Sequence, residues 1–173
     1  LNRMIMRAKV FYILGLSAII MTSCVISPKS RMKNLAKDNL EASLDYPKQL
    51  KITAIADPDS AYGVSYFSKQ EIKGMLRVMA VVTKQLMEKT NGMNDLSNLD
   101  PYYNALIQRQ MGAASEVQNM IFKSVPKGAW SGWKVKIDYE SVDKNGIKYR
   151  AERWVFLDRK GKNVVKTFEI PLP

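Results

Sequence analysis

No histidine occurs in the chain, and cysteine occurs only once, at position 24. Without histidine the protein lacks the usual general base near neutral pH and the most common metal ligand. A single cysteine excludes an internal disulfide and a zinc site built from several cysteines. Neither a G-x-S-x-G motif nor a glycine-rich phosphate loop is present. We therefore expect no metal and no cofactor, and carboxylates remain the only catalytic candidates.

The first 24 residues combine a basic start, an apolar stretch and the single cysteine. Arg7 and Lys9 precede the apolar residues 10–20, a length typical of a secretory signal peptide. The motif Met21-Thr22-Ser23-Cys24 resembles the lipobox of bacterial lipoproteins, with Met where Leu is more usual. This resemblance implies that residues 1–23 are a signal peptide and that the Cys24 thiol becomes lipidated.

The same resemblance implies a location. Val25, and not Asp, follows the cysteine, and residues 25–30 contain no acid, which in this family favours the outer membrane with the domain facing the periplasm. Two or more acyl chains on Cys24 would give stable attachment to the membrane. The alternative is an uncleaved membrane helix over residues 10–26, which just reaches the length of a membrane span.

The charge of the chain favours anionic partners. Lys and Arg number 27 against 16 acids, for a net charge of +11, and three of the cations precede Cys24. Residues 24–173 therefore carry a net charge of +8. For an exported protein the accessible anions are lipid head groups, lipopolysaccharide and acidic polysaccharides, so we expect no nucleic acid. An envelope protein is the other expected partner.

The residues behind the cysteine predict a tether followed by one domain. We expect a lipid-anchored tether over residues 24–47, either a loose helix or a flexible stem, and a single domain over 48–173. A strand is predicted over 50–56. Ser68 and Glu71 form a capping box at the start of a helix that ends near residues 91–92. Asp100 followed by Pro101 predicts a second helix that continues to about Lys123.

From Trp133 onward the hydrophobic period changes to two, which is typical of strands. Asn145-Gly146 predicts a two-residue hairpin that places Ile137 opposite Trp154. A second turn over residues 158–161 then places Phe156 opposite Val164. This register collects the apolar residues on one face, whereas a three-residue first loop would scatter them over both faces.

These elements predict an α+β fold, with an antiparallel sheet of three to four strands and a two-helix layer packed on one face. The element order and the strand start at residues 132–135 resemble cystatin-like and NTF2-like domains. That resemblance is to the general plan only and transfers no functional residue.

Two binding features follow from this register. Lys134, Lys136 and Arg153 share the reverse face of the sheet, where they would form a basic patch for an anionic ligand or a plain solvated surface. Trp130 lies outside the core alternation, so it is a candidate platform for stacking a sugar, or one more structural aromatic residue.

The remaining chemical candidates are expected to be structural. Glu140 and Glu152 are the carboxylates that a glycan hydrolase would need, but the predicted register points them to opposite faces of the sheet. Asp57 and Asp59 are expected to form a turn. Met75 and Met79 are expected to be flexible core residues and not ligands of a Cu(I) site.

The sequence thus favours a non-enzymatic binding or accessory module of the bacterial envelope, anchored through lipidated Cys24. Two alternatives stay open. One is a carboxylate-dependent glycan hydrolase of the cell envelope, and the other is an accessory subunit held by an uncleaved N-terminal membrane helix.

Overall fold

The computed structural model describes residues 27–94, 96–97, 99–123 and 128–173. The predicted signal peptide and Cys24 lie outside these residues. The predicted α+β class is confirmed, with three α-helices and an open antiparallel sheet of five strands in this part of the chain. The elements in chain order are α1 (Pro28–Ala42), a short 3-10 helix (Pro47–Gln49), β1 (Lys51–Ile55), β2 (Asp59–Tyr62), α2 (Lys69–Lys89), α3 (Pro101–Lys123), β3 (Trp130–Val142), β4 (Lys148–Leu157) and β5 (Val164–Pro171).

β3 is the central strand because it is long enough to pair with three others. Along one side its second half pairs with β1 and its first half with β2, while its other side pairs with β4. β5 pairs with the far side of β4. The sheet therefore has five strands, where three to four were predicted, because β2 continues the edge that β1 begins.

Both predicted helix starts are confirmed. The Ser68 side chain accepts a hydrogen bond from Glu71 N, and the Glu71 carboxylate accepts one from Ser68 N. The Asp100 carboxylate accepts a hydrogen bond from Tyr102 N at 2.7 Å and caps α3. Each bond satisfies a backbone N–H that the first helical turn leaves without an intrahelical partner. Met75 and Met79 are buried core residues of α2, as predicted.

The predicted strand register is wrong by one residue. Asp143 N donates to Ile147 O, and the Asp143 carboxylate accepts a hydrogen bond from Ile147 N, so residues 144–146 form a three-residue loop. Gly146 adopts φ +79°, the left-handed conformation that this type of loop requires. Ile137 consequently lies opposite Arg153, and Lys136 lies opposite Trp154.

The second turn forms as predicted, but the pairing beyond it also shifts. Gly161 N donates to Asp158 O at 2.9 Å, and Gly161 is left-handed at φ +61°. A bulge then pairs Leu157 with Val164 and Phe156 with Lys166, so the predicted pairing of Phe156 with Val164 is wrong.

The observed register differs from the predicted one because both faces of the sheet are buried, whereas the prediction assumed a single buried face. α1 covers the first face, which we call the α1 face, through a cluster of Met32, Ala36, Leu40, Val135, Ile137, Tyr139, Ala151, Val155 and Leu157. α2 and α3 cover the other, the α2–α3 face, through Phe67, Ile72, Met75, Met79, Ala113, Val117, Met120, Phe156, Phe168 and Ile170. Apolar residues on both faces are therefore stabilising here, and collecting them on one face was the wrong criterion.

The predicted boundary between tether and domain is corrected by the same observation. Met32, Ala36 and Leu40 of α1 are at most 4% exposed, so residues 28–42 belong to the core of the domain. Sequence reasoning missed this because the apolar residues of α1 are few and are separated by charged ones.

The sheet has two ends with different surroundings. The loop 144–146 marks the hairpin end, and the turn 158–163 between β4 and β5 marks the turn end. α1 begins close to the turn end, since a Cβ added at Gly161 would lie 2.6 Å from Met32 Sδ. None of the helices in the described ranges is both long and apolar enough to cross a membrane.

Candidate functional site

A cleft of about 480 Å³ opens at the hairpin end of the sheet. Three parts of the chain build it: the segment that leads into β1, the first turn of α3, and the paired ends of β3 and β4. Its lining residues are Gln49, Lys51, Tyr102, Glu140, Ser141, Val142, Lys148, Tyr149 and Arg150. A small neighbouring cavity shares Tyr102, Tyr149 and Arg150 with it and extends the cleft toward α3.

The cleft is basic. Lys51, Lys148 and Arg150 line it against a single carboxylate, Glu140. Lys51 Nζ lies 3.1 Å from Glu140 Oε2, and Arg150 Nε lies 3.9 Å from Glu140 Oε1. Lys148 has no salt bridge within the described part of the chain. One acid thus faces three cations, which leaves two positive charges available to an anionic ligand.

One residue of the cleft lining, Ser141, has a buried hydroxyl group that no described residue binds. Ser141 is 3% exposed, and its Oγ makes no hydrogen bond to any of the residues that the structure describes. Leaving a buried hydroxyl unpaired costs about 1–3 kcal/mol, so such groups usually meet a ligand or an ordered water. Because Ser141 lines the cleft, its hydroxyl group is one candidate for a hydrogen bond to a polar ligand.

Tyr149 is held in the cleft wall by contacts with a cation and with a second aromatic ring. The Arg109 guanidinium carbon lies 3.5 Å from the centre of the Tyr149 ring, and the Tyr139 ring packs edge-on at 5.9 Å. Arg109 in turn donates to Glu169 Oε1 at 2.9 Å. The aromatic wall of the cleft is thus fixed by side chains from α3 and from the sheet.

Glu169 is the centre of this supporting network. Its Oε2 accepts hydrogen bonds from Tyr139 Oη at 2.5 Å and from Arg153 Nη2 at 2.7 Å. Burial and the neighbouring negative charge of Glu169 raise the pKa of Tyr139 well above its usual range. Burial alone would lower the pKa of Arg153, but the charges and hydrogen bonds of Glu169 and Tyr139 together outweigh burial and raise that pKa. Both groups therefore keep their protons at all ordinary pH values.

The basic patch predicted from Lys134, Lys136 and Arg153 does not form, because the three side chains do not share a face. Residues directly opposite each other in an antiparallel pair point to the same side. Arg153 pairs with Ile137 on the α1 face, whereas Lys134 and Lys136 lie on the α2–α3 face.

Each of these three cations is already neutralised. Lys134 is 4% exposed and lies 2.6 Å from Glu71 Oε1. Lys136 lies 3.2 Å from Glu152 Oε2, and Arg153 binds Glu169. They tie the sheet together or to the start of α2, and the cations of the cleft are different residues.

The two carboxylates of the hydrolase alternative, Glu140 and Glu152, lie on the same face of the sheet, although the predicted register placed them on opposite faces. Glu152 pairs with Asp138, which is two residues from Glu140 on β3 and therefore points to the same side. Only Glu140 lines the cleft. Glu152 is 8% exposed and accepts a hydrogen bond from the Trp154 indole at 2.6 Å. The cleft therefore holds one carboxylate of the pair and not both.

The other candidates lie outside the cleft. Asp57 lies in the loop after β1 and binds Lys33 at 2.9 Å, while Asp59 approaches Lys134. Trp130 is 37% exposed at the turn end, and its ring meets that of Trp133 edge-on at 5.8 Å. In the described ranges, no three or more acidic, cysteine or histidine side chains are grouped as metal ligands would be.

Sequence reasoning missed the cleft because its residues come from three separate parts of the chain. Tyr102 lies in the first turn of α3, and Glu140 lies opposite Arg150 only in the observed register. Comparisons of the chain with protein-family models, with curated proteins and with solved structures gave no match.

Proposed function

We propose that this protein is a non-enzymatic binding module of the bacterial cell envelope, held at the outer membrane on its periplasmic side by a lipid on Cys24. Its ligand is an anionic envelope component, taken up in the cleft at the hairpin end. The observation that carries this proposal is the cleft itself, in which three cations face one acid. Beside them lies the buried Ser141 hydroxyl group, which makes no hydrogen bond to the described residues.

The cleft suits an acidic saccharide in three respects. Lys51, Lys148 and Arg150 would pair with carboxylates or phosphates, and Arg does so through two parallel hydrogen bonds. Tyr102 and Tyr149 offer aromatic surface to the apolar face of a sugar ring. Ser141 would exchange a hydrogen bond with a hydroxyl group of the ligand. The absence of histidine favours binding over catalysis.

The position of the cleft also supports a tethered module. α1 begins close to the turn end, and the cleft lies at the opposite, hairpin end. β4 spans ten residues between these ends, a length of about 33 Å. A protein anchored just before α1 would therefore hold its cleft away from the membrane and toward soluble or polymeric ligands.

Binding of polygalacturonate, an acidic polysaccharide, tests the ligand class, with neutral dextran as the reference. We expect the full chain to bind polygalacturonate and not dextran, and the affinity to fall as salt is added. The double variant Lys51→Gln, Lys148→Gln should weaken binding about tenfold. The matched control Lys84→Gln, Lys89→Gln removes the same charge from α2, outside the cleft. An equal loss in both double variants would contradict binding in the cleft.

Metabolic labelling with a fatty acid tests the anchor. Wild-type protein should incorporate the label, and the variant Cys24→Ala should not. Equal incorporation in both proteins would contradict lipidation at this cysteine.

A further inference from the structure

Exposed apolar and aromatic side chains gather at the turn end of the sheet. Tyr62 on β2 lies opposite Trp130 on β3, and these residues are 53% and 37% exposed. Val64, two residues later, is 70% exposed. Phe122, near the end of α3, is 78% exposed, and the neighbouring Lys123 lines a cavity together with Val64. A soluble surface rarely leaves such large side chains open in one place without a partner.

Cations border this apolar surface. The turn between β4 and β5 carries Arg159, Lys160 and Lys162, all exposed, and Arg159 lies 5.9 Å from the centre of the Trp130 ring. None of the three has a salt bridge within the described residues. The neighbouring acid, Asp158, uses its carboxylate to accept hydrogen bonds from Lys162 N and from the Asn163 side chain. The turn therefore presents three positive charges on a backbone that Asp158 holds in place.

The described part of the chain begins close to the same end. Met32 of α1 lies against Gly161 of this turn, and Pro28 precedes Met32 by about one helical turn. Cys24 precedes Ser27 by three residues, which span about 11 Å at most. A lipid on Cys24 would therefore enter the bilayer close to this end of the sheet.

We propose that Tyr62, Val64 and Trp130, together with Arg159, Lys160 and Lys162, form a membrane-contact surface that rests on an anionic phospholipid bilayer. Tyr and Trp favour the boundary between water and lipid, and Lys and Arg are attracted to anionic head groups. The proposal rests on the proposed function, since the anchor on Cys24 brings this surface to the membrane. It adds an orientation, with the turn end on the bilayer and the cleft pointing away from it.

The test uses the full chain extracted from bacterial membranes in detergent and reconstituted into vesicles. Vesicles of phosphatidylcholine are compared with vesicles that also contain phosphatidylglycerol, both carrying brominated lipid as a fluorescence quencher. The fluorescence of Trp130 is obtained as the difference in tryptophan fluorescence between wild-type protein and the variant Trp130→Phe. We expect brominated lipid to quench this signal in the anionic vesicles, and the quenching to be lost at high salt.

A charge reversal in the turn identifies the surface. The triple variant Arg159→Glu, Lys160→Glu, Lys162→Glu should lose the quenching, and it leaves Asp158, Gly161 and Asn163 to form the turn. The matched control Lys84→Glu, Lys89→Glu, Lys144→Glu makes the same change in net charge outside the turn. This control should keep the quenching. Equal quenching in neutral and anionic vesicles, or the same loss in both triple variants, would overturn the proposal.

The outcomes separate this inference from the proposed function. Polygalacturonate binding should survive the triple variant in the turn, because the cleft lies at the other end. A turn variant that loses polygalacturonate binding and keeps the lipid quenching would identify a polysaccharide surface and overturn the membrane contact. If wild-type protein incorporated no fatty acid or did not bind polygalacturonate, the proposed function would be contradicted. The comparison of quenching between the vesicles would still decide whether this surface contacts the membrane.

Discussion

Glu169 joins α3 to the sheet, because one of its carboxylate oxygens accepts a hydrogen bond from Arg109 at 2.9 Å. Its other oxygen binds Tyr139 and Arg153 on the α1 face. The side chains of Arg109, Arg153 and Glu169 are 14–25% exposed, so the two positive charges depend on this one carboxylate. The same network supports Tyr149 in the wall of the cleft.

The variant Glu169→Gln should destabilise the fold by about 3 kcal/mol, because it leaves two largely buried guanidinium groups without their negative partner. The free energy of unfolding in urea measures the loss. Glu116→Gln is the matched control, since Glu116 joins the same two elements through Lys166 in an exposed pair. That change should cost at most about 1 kcal/mol. Equal losses of unfolding free energy in the two variants would contradict the role of Glu169 as the shared partner of two buried guanidinium groups.

Leu40→Ala should destabilise the protein by about 2–5 kcal/mol, because Leu40 is fully buried between α1 and the sheet. Urea unfolding of the full chain provides the measurement. Lys37→Ala, on the exposed side of the same helix, should leave the stability within about 0.5 kcal/mol of wild type. If Leu40→Ala also had no effect, α1 would be a tether and not part of the core.

Gly132→Ala should cost about 1–3 kcal/mol more than Gly146→Ala. Both glycines have positive φ, +146° and +79°, so either alanine strains the backbone. At Gly132 the added Cβ would also collide with the Leu157 carbonyl oxygen, whereas at Gly146 it would meet open space. Thermal and urea unfolding compare the two variants. Equal losses would show that backbone strain alone decides the cost.

Asp57 should titrate below the usual range of a carboxylate, because the hydrogen bond and charge of Lys33, and the charge of Lys29, lower its pKa. A carboxylate with a lowered pKa in the folded state stabilises the protein above about pH 4 and loses that contribution as the pH falls through the folded value. In Lys33→Met the pKa of Asp57 should rise toward its ordinary value. NMR titration of the side-chain carboxyl measures it, and an unchanged pKa would contradict the role of Lys33.

Local signals in the sequence predicted local structure well. The capping box at Ser68 and the Asp100 cap predicted both helix starts, since these hydrogen bonds join residues two or three positions apart. The turn at residues 158–161 also formed as predicted.

The predictions failed where a distant part of the chain decides the outcome. Asn145-Gly146 fits a two-residue or a three-residue loop, and the local sequence does not distinguish the two. The burial of both sheet faces selects the longer loop, and the hydrogen bond from Ile147 N to the Asp143 carboxylate closes it. The basic patch and the opposed glutamates failed with the register, because a slip of one residue moves every side chain to the other face.

The sequence by itself determined the α+β class, the two capped helices and the positive charge, because these depend on composition and on contacts between near neighbours. Only the tertiary structure decided that α1 belongs to the core and that the sheet is covered on both sides. It also brought Lys51, Tyr102 and Arg150 to one cleft. The physical reason is that burial and charge pairing act between residues far apart in the chain, so these features exist only once the chain has folded.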